Sequence, residues 1–453
     1  ARHRDALRER IHGPILVMAG RPQLRNIPIN HLPYRADSTF LWLTGCRVPG
    51  AAVLLDGDGD TLFLPRPPAD DALWHGPQPT IQAQGQTLGF GRVRPLSELP
   101  EVVPQRSGLR TLATTDPATN RWLTEHTGRP HDTRTEQGDP SVIEAVIALR
   151  SKLDAFEIDA TRAVAEVTEA AHRAAMAATR IGSHEARVGA VFDGVIAAHG
   201  LTTAYDSIVT VHGEVLHNFH RSHPLADGQL LLLDGGAEGT SGYATDVTRT
   251  WPVNGRFSPR QKAVYEAVLE AQLHSIQMCR PGTRYRDIHL ASARVLTRFL
   301  VDEGLLTGDL DSLVERGAHA LFFPHGVGHL IGLDVHDLEL YGDTAGYGPG
   351  RTRSTQFGLN ALRLDRDLVP GNVVTIEPGF YVVPAILANA DITAPFADCF
   401  HASAAEAWLG FGGIRIEDDV HVTPTGPDVL TAGIPKTVAE VEAAIAAELV
   451  PFW

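Results

Sequence analysis

Short apolar runs separated by Pro and Gly turns fill the chain from residue 1 to about residue 138. The runs ILVMAG, AAVLLDGDGDTLFLP and LRTLATT have the length and composition of strands, and RDALRERI has the apolar spacing of a helix. This alternation predicts a small α/β domain over residues 1–138. The polar stretch TRTEQGDPS is the predicted linker at its end, because Gly and Pro interrupt it.

From residue 139 onward the apolar spacing becomes that of long helices. The Ala-rich segment that begins SVIEAVIALR keeps a helical period as far as Gly182, with a break predicted near Lys152–Asp154. Two more helices are predicted at PRQKAVYEAVLEAQLHSIQMC and YRDIHLASARVLTRFLVDEG, and strands at SIVTVHG, QLLLLDGG, YATDVTRTWPV, NVVTIEPGFYVV and GGIRIEDDVHVT. Strands framed by helix pairs predict an α+β domain over residues 139–453, with helices covering one face of a sheet.

The charge and the cysteines limit the possible partners and location. A formal net charge of −15 repels phosphate backbones and anionic membranes, so neither nucleic acid nor a membrane is expected as a partner. The three cysteines lack C-x-x-C spacing, which excludes a disulfide framework and a thiolate zinc site. The amino-terminal segment lacks the apolar core of a signal peptide, and no apolar run has the length of a membrane span, so a cytoplasmic location is expected.

Two aspartates are the first candidates for chemistry. Asp234 ends a run of four leucines, and Asp246 lies on the next predicted strand, after a turn rich in Gly, Ser and Thr. Two carboxylates brought together in this way repel each other, so one must take up a proton or a cation must lie between them. The alternative is that both aspartates only cap turns.

Histidines and glutamates supply further candidates. The segment PHGVGHLIGLDVHD sets three histidines among glycines, which indicates close approach of the backbone rather than core packing: His325, His329 and His336. Glu377 and Glu417 each lie in a run of β-branched residues, where a carboxylate is rarely buried unpaired. Arg415 is predicted on the same face of its strand as Glu417, so a buried Arg–Glu pair is the alternative interpretation.

Four carboxylates with one or more imidazoles and no thiolate suit a pair of divalent ions of the Mn, Co or Zn type. Such a pair, roughly 3.5–4 Å apart, activates a water molecule and polarises a carbonyl at once, which is the chemistry of an aminopeptidase. A separate metal site at the histidines of the segment HGEVLHNFHRSH is a weaker alternative, because that segment is typical of a mobile loop. No HEXXH, P-loop or G-x-S-x-G motif is present.

Four segments resemble, in order, the signatures of the prolidase and aminopeptidase P family: DGGAEGTSGYATDVTRTWPVNGRFSPRQKAVYEAVLEA, PHGVGHLIGLDVHD, LVPGNVVTIEPGFY and FGGIRIEDDV. A weaker match, PYRADSTFLWLTGC and TLFLPRPPADDALWHG, extends into the amino domain. The resemblance implies a pita-bread catalytic domain over residues 139–453, of the kind shared with methionine aminopeptidase. It also implies a creatinase-like amino-terminal domain over residues 1–138.

Carried over residue by residue, the resemblance implies a centre with two divalent ions. Asp234 would bind one ion, Asp246 and Glu417 would bridge both, and His329 and Glu377 would complete the other. Glu377 would also act as the base. Manganese is the expected metal, with cobalt or zinc as alternatives. The two aspartates are separated by one residue more than in the family pattern, which bears on the role of Asp234.

Other residues correspond to the family's substrate contacts. His325 and His336 resemble the histidines that support the substrate and the transition state, and His217 resembles the histidine that closes over the substrate. Arg415 and Tyr381 resemble a pair that supports the metal ligands. His217 is followed by Asn-Phe where the family has an aromatic residue directly, so packing around it is expected to differ.

The expected activity is that of a Xaa-Pro dipeptidase acting on short proline-containing peptides, in a homodimer or higher homo-oligomer. Arg363, fourteen positions before Glu377, resembles the prolidase arginine that binds the free carboxylate of a dipeptide. The alternative for Arg363 is a surface pair with Asp365 or Asp367. Alternatives for the whole chain are a Xaa-Pro aminopeptidase acting on longer peptides and a metal-free pseudo-peptidase or binding protein on the same fold. A dinuclear phosphotriester hydrolase is expected at most as a side activity.

Overall fold

A computed structural model describes residues 1–27, 29–57 and 59–449. The chain divides into two compact units, Ala1–Arg150 and Ser151–Trp453. The domain boundary expected between residues 138 and 139 stays a prediction. Over the described ranges, no helix has both the length and the apolar character that a membrane crossing requires.

The first unit is a mixed sheet with helices. Its strands are β1 (Ile15–Met18), β2 (Leu24–Ile27), β3 (Asn30–His31), β4 (Ala52–Leu55), β5 (Thr61–Leu64), β6 (Arg92–Pro95) and β7 (Arg110–Thr111). Its helices are α1 (Arg2–Arg10), α2 (Ser38–Thr44), α3 (Asp71–His75), α4 (Ile81–Thr87), α5 (Leu99–Val102), α6 (Pro117–Thr127) and α7 (Pro140–Arg150), with 3-10 turns at Leu96–Glu98 and Val103–Gln105.

Five of these strands form one sheet in the order β6-β5-β4-β1-β7. The strand β1 runs antiparallel to β4 and parallel to β7. Every residue of β1 and β4 is buried, which explains why both strands read as continuous apolar runs rather than as alternating patterns. Leu16, Leu54 and Phe63 pack with Leu99 and Leu123 in the core of this unit.

The second unit combines short strands with long helices. The strands are β8 (Thr202–Thr203), β9 (Ile208–Thr210), β10 (Leu230–Asp234), β11 (Ala237–Glu238), β12 (Thr248–Pro252), β13 (Val373–Ile376), β14 (Gly379–Tyr381), β15 (Gly413–Arg415), β16 (Asp418–Thr423) and β17 (Gly426–Val429). The helices are α8 (Ala155–Ala178), α9 (Glu185–Ala198), α10 (Pro259–Met278), α11 (Tyr285–Asp302), α12 (Leu310–Arg316), α13 (Asp343–Gly346), α14 (Pro384–Leu387), α15 (Ala390–Thr393), α16 (Ala402–Glu406) and α17 (Val438–Ala446). Four 3-10 turns lie at Ala318–Leu321, Glu339–Tyr341, Leu359–Ala361 and Ala394–Phe396.

The long helices begin where the sequence provides caps. The side chain of Asp154 accepts hydrogen bonds from the first turn of α8, and Glu157 bonds back to the Asp154 backbone, which forms a capping box. This cap ends the connection from α7 and confirms the predicted break near Lys152–Asp154. Ser258 and Gln261 form a second capping box at α10. Helices α8 and α9 pack together, as do α10 and α11.

The strands that carry the two candidate glutamates are broken at those residues. Strand β13 pairs with β16 up to Ile376–Asp418, and β14 pairs with β15 from Gly379–Arg415. The ladder is interrupted between these two partner pairs, at Glu377-Pro378 on one side and Ile416-Glu417 on the other. Pro378 has no N–H to donate, which favours the interruption. The prediction of one continuous strand through each glutamate was therefore wrong.

The aspartates are placed by a second set of strands. Asp234 is the last residue of β10, and it pairs with Thr248 of β12. Asp246 precedes β12, although the sequence predicted it on that strand. The strands β12, β10 and β9 form one antiparallel sheet, and with the helix pairs they confirm the predicted α+β class.

Candidate metal centre

A cavity of about 280 Å³ in the second unit gathers the sequence-predicted residues. Ten of the eleven line it: His217, Asp234, Asp246, His325, His329, His336, Arg363, Glu377, Arg415 and Glu417. The eleventh, Tyr381, is fully buried and contacts two of them, His325 and Arg415. Segments as far as 200 positions apart in the chain, from His217 to Glu417, therefore meet in one place.

The two aspartates share one phenol group. Tyr205 Oη lies 2.6 Å from Asp234 Oδ1 and also forms a short hydrogen bond with Asp246 Oδ1. A phenol has a single hydrogen, so it cannot donate fully to both carboxylates. The eleven residues between the two aspartates therefore do not keep the two side chains apart.

The two glutamates are held by threonines. Thr248 Oγ1 donates to Glu417 Oε2 at 2.6 Å, and Thr375 Oγ1 donates to Glu377 Oε1 at 3.2 Å. The Glu417 backbone N–H also donates to the carbonyl of Thr248, at 3.0 Å. These bonds fix one oxygen of each glutamate and leave the other available to the cavity.

His329 presents one defined nitrogen to the carboxylates. Its Nδ1 lies 3.0 Å from the carbonyl of Leu330 and must donate to it, because a carbonyl oxygen only accepts. Its Nε2 lies 3.4 Å from Asp246 Oδ2 and 3.5 Å from Glu377 Oε1. Burial lowers the pKa of His329, but Asp246 and Glu377 outweigh burial and raise the pKa to about 9.

Three groups of side chains in the second unit have the geometry to hold a metal ion. In each group, one donor atom per residue lies within 4.8 Å of the others. The groups are Asp234, Asp246 and Glu417; His329, Glu377 and Glu417; and Asp246, His329 and His336. Asp246, His329 and Glu417 each belong to two groups, so membership alone does not single out the two residues, Asp246 and Glu417, for which the resemblance implies bridging roles.

The charges of the cavity fit divalent cations. Burial raises the pKa of Asp234, raises the pKa of Glu377 to about 7 and raises the pKa of Glu417 well above its usual range. For Asp246 burial acts in the same direction, but His329 outweighs it and the pKa falls. The raised values reflect carboxylates forced together out of water, and bound cations remove that cost. Oxygen donors with one imidazole are a suitable ligand set for such ions.

Arg415 connects three parts of the site. It donates from Nη2 to Asp234 Oδ2 at 2.6 Å, from Nη1 to Tyr381 Oη at 3.0 Å and from Nε to Thr248 Oγ1 at 2.9 Å. Its carboxylate partner is thus Asp234, and the alternative of an Arg415–Glu417 pair is not found in the described residues.

The other histidines lie around this centre. His325 Nδ1 donates to the carbonyl of Gly326 at 2.8 Å, so its Nε2 accepts from Tyr381 Oη at 2.9 Å. Burial lowers the pKa of His325 to about 3, which keeps the ring neutral. The ring of His336 stacks on His329, with centroids 4.0 Å apart. His217 lines the cavity on its own loop.

Arg363 has a partner that the sequence did not suggest. Its Nη1 donates to Glu339 Oε2 at 2.6 Å. The expected alternatives are engaged elsewhere: Asp365 pairs with Arg284, and Asp367 pairs with Arg351. Arg363 lines the cavity from this anchored position.

Several residues of the centre were missed from sequence. Besides Tyr205, Thr248 and Thr375, buried His172 on α8 contacts the carbonyl of Gly235, next to Asp234, at 3.1 Å. Thr375 lies two residues from Glu377 and Thr248 lies two residues from Asp246, which was a usable signal, whereas no sequence signal points to Tyr205 or His172. The loop histidines do not form a separate centre among the described residues: His212 pairs with Glu214 and His223 with Glu185.

A buried ion pair supports the strands behind the centre. Arg249 of β12 and Asp418 of β16 are both fully buried, with Nη2 and Oδ1 2.8 Å apart. Arg249 also donates from Nη1 to the backbone carbonyls of Thr248 and Glu417. Lys436 Nζ adds a second cation 2.7 Å from Asp418 Oδ2. This arrangement ties the segment that carries Asp246 to the segment that carries Glu417.

Known proteins share both units. The family model described as metallopeptidase family M24 matches residues 159–424, and the model described as the aminopeptidase P N-terminal domain matches residues 1–112. The chain is 31% identical to the Xaa-Pro dipeptidase of Homo sapiens over 428 residues, which covers 91% of this chain and 84% of that protein. It is 32% identical to the Xaa-Pro aminopeptidase of Escherichia coli (strain K12) over 466 residues, covering 98% and 97%. The solved structure of Pseudomonas aeruginosa aminopeptidase PepP has a TM-score of 0.82 at 31% identity, covering 99% of this chain and 97% of that one. The predicted resemblance and fold class are confirmed.

We expect Tyr205→Phe to weaken the binding of divalent metal about tenfold or more, because residues that orient metal ligands have effects of that size. The hydroxyl orients both aspartates, and the phenyl ring keeps the packing. Isothermal titration of metal-free protein with Mn²⁺ measures the effect without reference to activity. Tyr34→Phe is the matched control, because that hydroxyl donates to the carbonyl of Ala19 in the first unit. Unchanged Mn²⁺ affinity in Tyr205→Phe would contradict the role.

Proposed function

The chain belongs to metallopeptidase family M24, and from that premise we propose that it is a two-metal exopeptidase that hydrolyses the bond before proline, with Xaa-Pro dipeptides preferred. The observation that carries the proposal is a single cavity in which the candidate metal groups lie together with a cavity-lining arginine, Arg363. The first feature supports hydrolysis of a peptide bond. The second supports recognition of a short substrate by its carboxylate.

Two divalent ions would be held by the five predicted ligands. Asp234 would bind one ion, His329 and Glu377 the other, and Asp246 and Glu417 would bridge them; all five residues occur in the groups that could hold a metal ion. When bound, such ions activate the attacking water and polarise the scissile carbonyl. Manganese is the proposed metal, with cobalt or zinc as alternatives that the same oxygen and imidazole donors accept.

Glu377 is the proposed base. Thr375 occupies Glu377 Oε1, so Oε2 is the oxygen that would take up a proton from the attacking water. That proton would then pass to the proline nitrogen as the peptide bond breaks, which returns the carboxylate to its starting state. The water oxygen becomes part of the new carboxyl group, and the proline leaves with a protonated nitrogen.

His325 and His336 are proposed to support the substrate. Both ring nitrogens of His325 are engaged, one with the carbonyl of Gly326 and the other with Tyr381. When the peptide enters, the Nδ1–H group would exchange its bond to Gly326 for one to a substrate oxygen, because Nε2 is the accepting nitrogen. His336 would contact the substrate from the face opposite its stacking partner, His329. His217 would close over the substrate from its loop.

The preference for dipeptides rests on Arg363. A guanidinium pairs with a carboxylate through two parallel N–H groups, and an amide in the same place cannot reproduce that pairing. Relatives with both kinds of name have nearly the same identity to the chain, so family membership does not decide substrate length. A Xaa-Pro aminopeptidase acting on longer peptides is the alternative. A metal-free pseudo-peptidase is disfavoured, because all the side chains needed to hold metal ions are present.

The proposed partners are short proline-containing peptides. Assembly as a homodimer or higher homo-oligomer and a cytoplasmic location stay predictions. Both can be tested with the purified protein and with a fluorescent fusion, respectively.

We expect the protein prepared with excess Mn²⁺ to hold up to two ions per chain, and a chelator to abolish hydrolysis of Xaa-Pro. Asp246→Asn and Glu417→Gln should lose more metal than Asp234→Asn, because removal of a bridging carboxylate leaves two cations facing each other. Elemental analysis after gel filtration measures the metal content. Asp343→Asn is the control, since that carboxylate pairs with Arg353 at the surface. Full activity in protein shown to be metal-free would refute the mechanism.

We expect His325→Ala to lower kcat by about 100-fold or more while the metal content stays at the wild-type level, because a donor to developing negative charge acts mainly in the transition state. Steady-state kinetics and elemental analysis on the same preparation separate the two effects. Loss of metal in step with activity would instead identify His325 as a ligand. Wild-type kcat in the variant would remove it from the mechanism.

We expect Arg363→Ala to raise KM for a Xaa-Pro dipeptide about tenfold or more, since hydrogen bonds to charged groups contribute about 1.5–3 kcal/mol. Hydrolysis of a Xaa-Pro-Yaa tripeptide should change little or improve. Arg353→Ala is the matched control, because Arg353 pairs with Asp343 and does not line the cavity. A wild-type enzyme that cleaves tripeptides much faster than dipeptides would decide for the aminopeptidase.

A further inference from the structure

Glu339 lies between Arg363 and His336 without itself lining the main cavity. Its Oε2 accepts from Arg363 Nη1 at 2.6 Å. Its Oε1 lies 3.1 Å from His336 Nδ1, although the two atoms are poorly aligned for a hydrogen bond. One carboxylate thus contacts two cavity-lining side chains, one through each oxygen.

The backbone before Glu339 is held in an unusual conformation. Leu338 has φ 65° and ψ 0°, and it is the one non-glycine residue with positive φ among residues 1–27, 29–57 and 59–449. A bulky residue reaches this left-handed region only where the surrounding structure imposes it. The Leu338 side chain is 2% exposed, so its burial holds the turn and sets the direction of Glu339.

The charges of Glu339 and Arg363 favour a permanent contact between the two side chains. Burial raises the pKa of Glu339, but His336, His329 and Arg363 outweigh burial and lower the pKa to about 2. The carboxylate is therefore ionised wherever the enzyme is expected to work. The guanidinium of Arg363 carries the opposite charge.

Glu339 leaves the binding edge of Arg363 open. Only Nη1 of Arg363 is engaged, and within the described part of the chain its Nε and Nη2 have no hydrogen-bond partner. This chain shows what that edge can bind: Arg284 donates from Nε and Nη2 to the two oxygens of Asp365, each at 2.6 Å. A substrate carboxylate can occupy the same edge of Arg363 while Glu339 stays in place.

The contact with Glu339 lowers the entropic cost of binding a substrate carboxylate to Arg363. Its side chain is 41% exposed, and a long side chain at such a position loses rotamer freedom when it binds a ligand. The contact with Glu339 orders the guanidinium before the substrate arrives. A second carboxylate nearby also repels the substrate, but it lies on the other side of the guanidinium, and the positive charge stands between the two.

We propose that Glu339 is a positioning residue that holds Arg363 in place to receive the carboxylate of a dipeptide. This inference rests on the proposed dipeptidase function and assigns a second residue to its selectivity. Glu339 acts through Arg363 and does not itself contact the substrate.

The test compares a Xaa-Pro dipeptide with the same dipeptide bearing a carboxy-terminal amide, on Mn²⁺-loaded enzyme. Glu339→Ala is expected to raise KM for the free dipeptide about three- to tenfold, the cost of ordering one side chain. KM for the amide and kcat for both substrates should stay near the wild-type values. Glu339→Gln should recover part of the loss, because its amide oxygen can still accept from Arg363.

A double-mutant cycle shows whether Glu339 acts through Arg363. In the Arg363→Ala background, Glu339→Ala should cause no further rise in KM for the dipeptide.

Asp343→Ala is the matched control. It removes one exposed carboxylate that pairs with Arg353 at 2.6 Å, in the same segment but away from the cavity. It should leave both substrates unaffected, and thermal melting of all variants checks their folding.

The outcomes separate the inference from the function on which it rests. An unchanged or lower KM for the dipeptide in Glu339→Ala, or an equal loss on the amide, would overturn the role of Glu339 alone. A wild-type enzyme that prefers tripeptides to dipeptides would overturn the dipeptidase proposal and the inference together.

Discussion

The constraint on which this structure depends is the burial of four carboxylates around one cavity. Negative charges brought together away from water repel each other strongly. Side chains from neighbouring elements offset part of this repulsion. Arg415 holds Asp234, His329 faces Asp246 and Glu377, and threonines bind the glutamates. The negative charge that these groups leave uncompensated fits divalent cations, which the candidate metal groups are placed to hold.

The same constraint explains the frame behind the cavity. The candidate ligands at the end of β10, just before β12 and at the two ladder breaks lie within a few ångströms of one another, against their mutual repulsion. The buried Arg249–Asp418 pair fixes the segments on either side of it, and Arg249 holds the carbonyl of Glu417 directly. A buried ion pair is costly to form unless its remaining hydrogen-bonding groups are satisfied, and here carbonyls and Lys436 satisfy them.

The long helices, the strand ending at Asp234 and the set of metal-competent residues could be predicted from sequence, because periodicity, caps and residue type are local properties. The family resemblance added the roles of the ligands, which composition and spacing left open. Contacts between distant segments could not be predicted. Tyr205 is 29 and 41 positions from the aspartates it joins, and Arg363 pairs with Glu339, 24 positions away, rather than with its near neighbours Asp365 and Asp367. The strand breaks at Glu377 and Glu417 were also missed, because β-branched residues on both sides of each glutamate predict a continuous strand.

These breaks have a consequence for how such a protein can change over evolutionary time. Glu377 and Glu417 lie outside the β13–β16 and β14–β15 ladders, so neither side chain is needed for strand pairing. At these two positions, selection on the chemistry therefore acts on residues that are not paired in the sheet, in contrast to Asp234 and Arg415, which are paired. A lineage can exchange the residues at the breaks and acquire a new reaction, while the ladders on either side preserve the shape that a diverging copy of the gene must keep in order to fold.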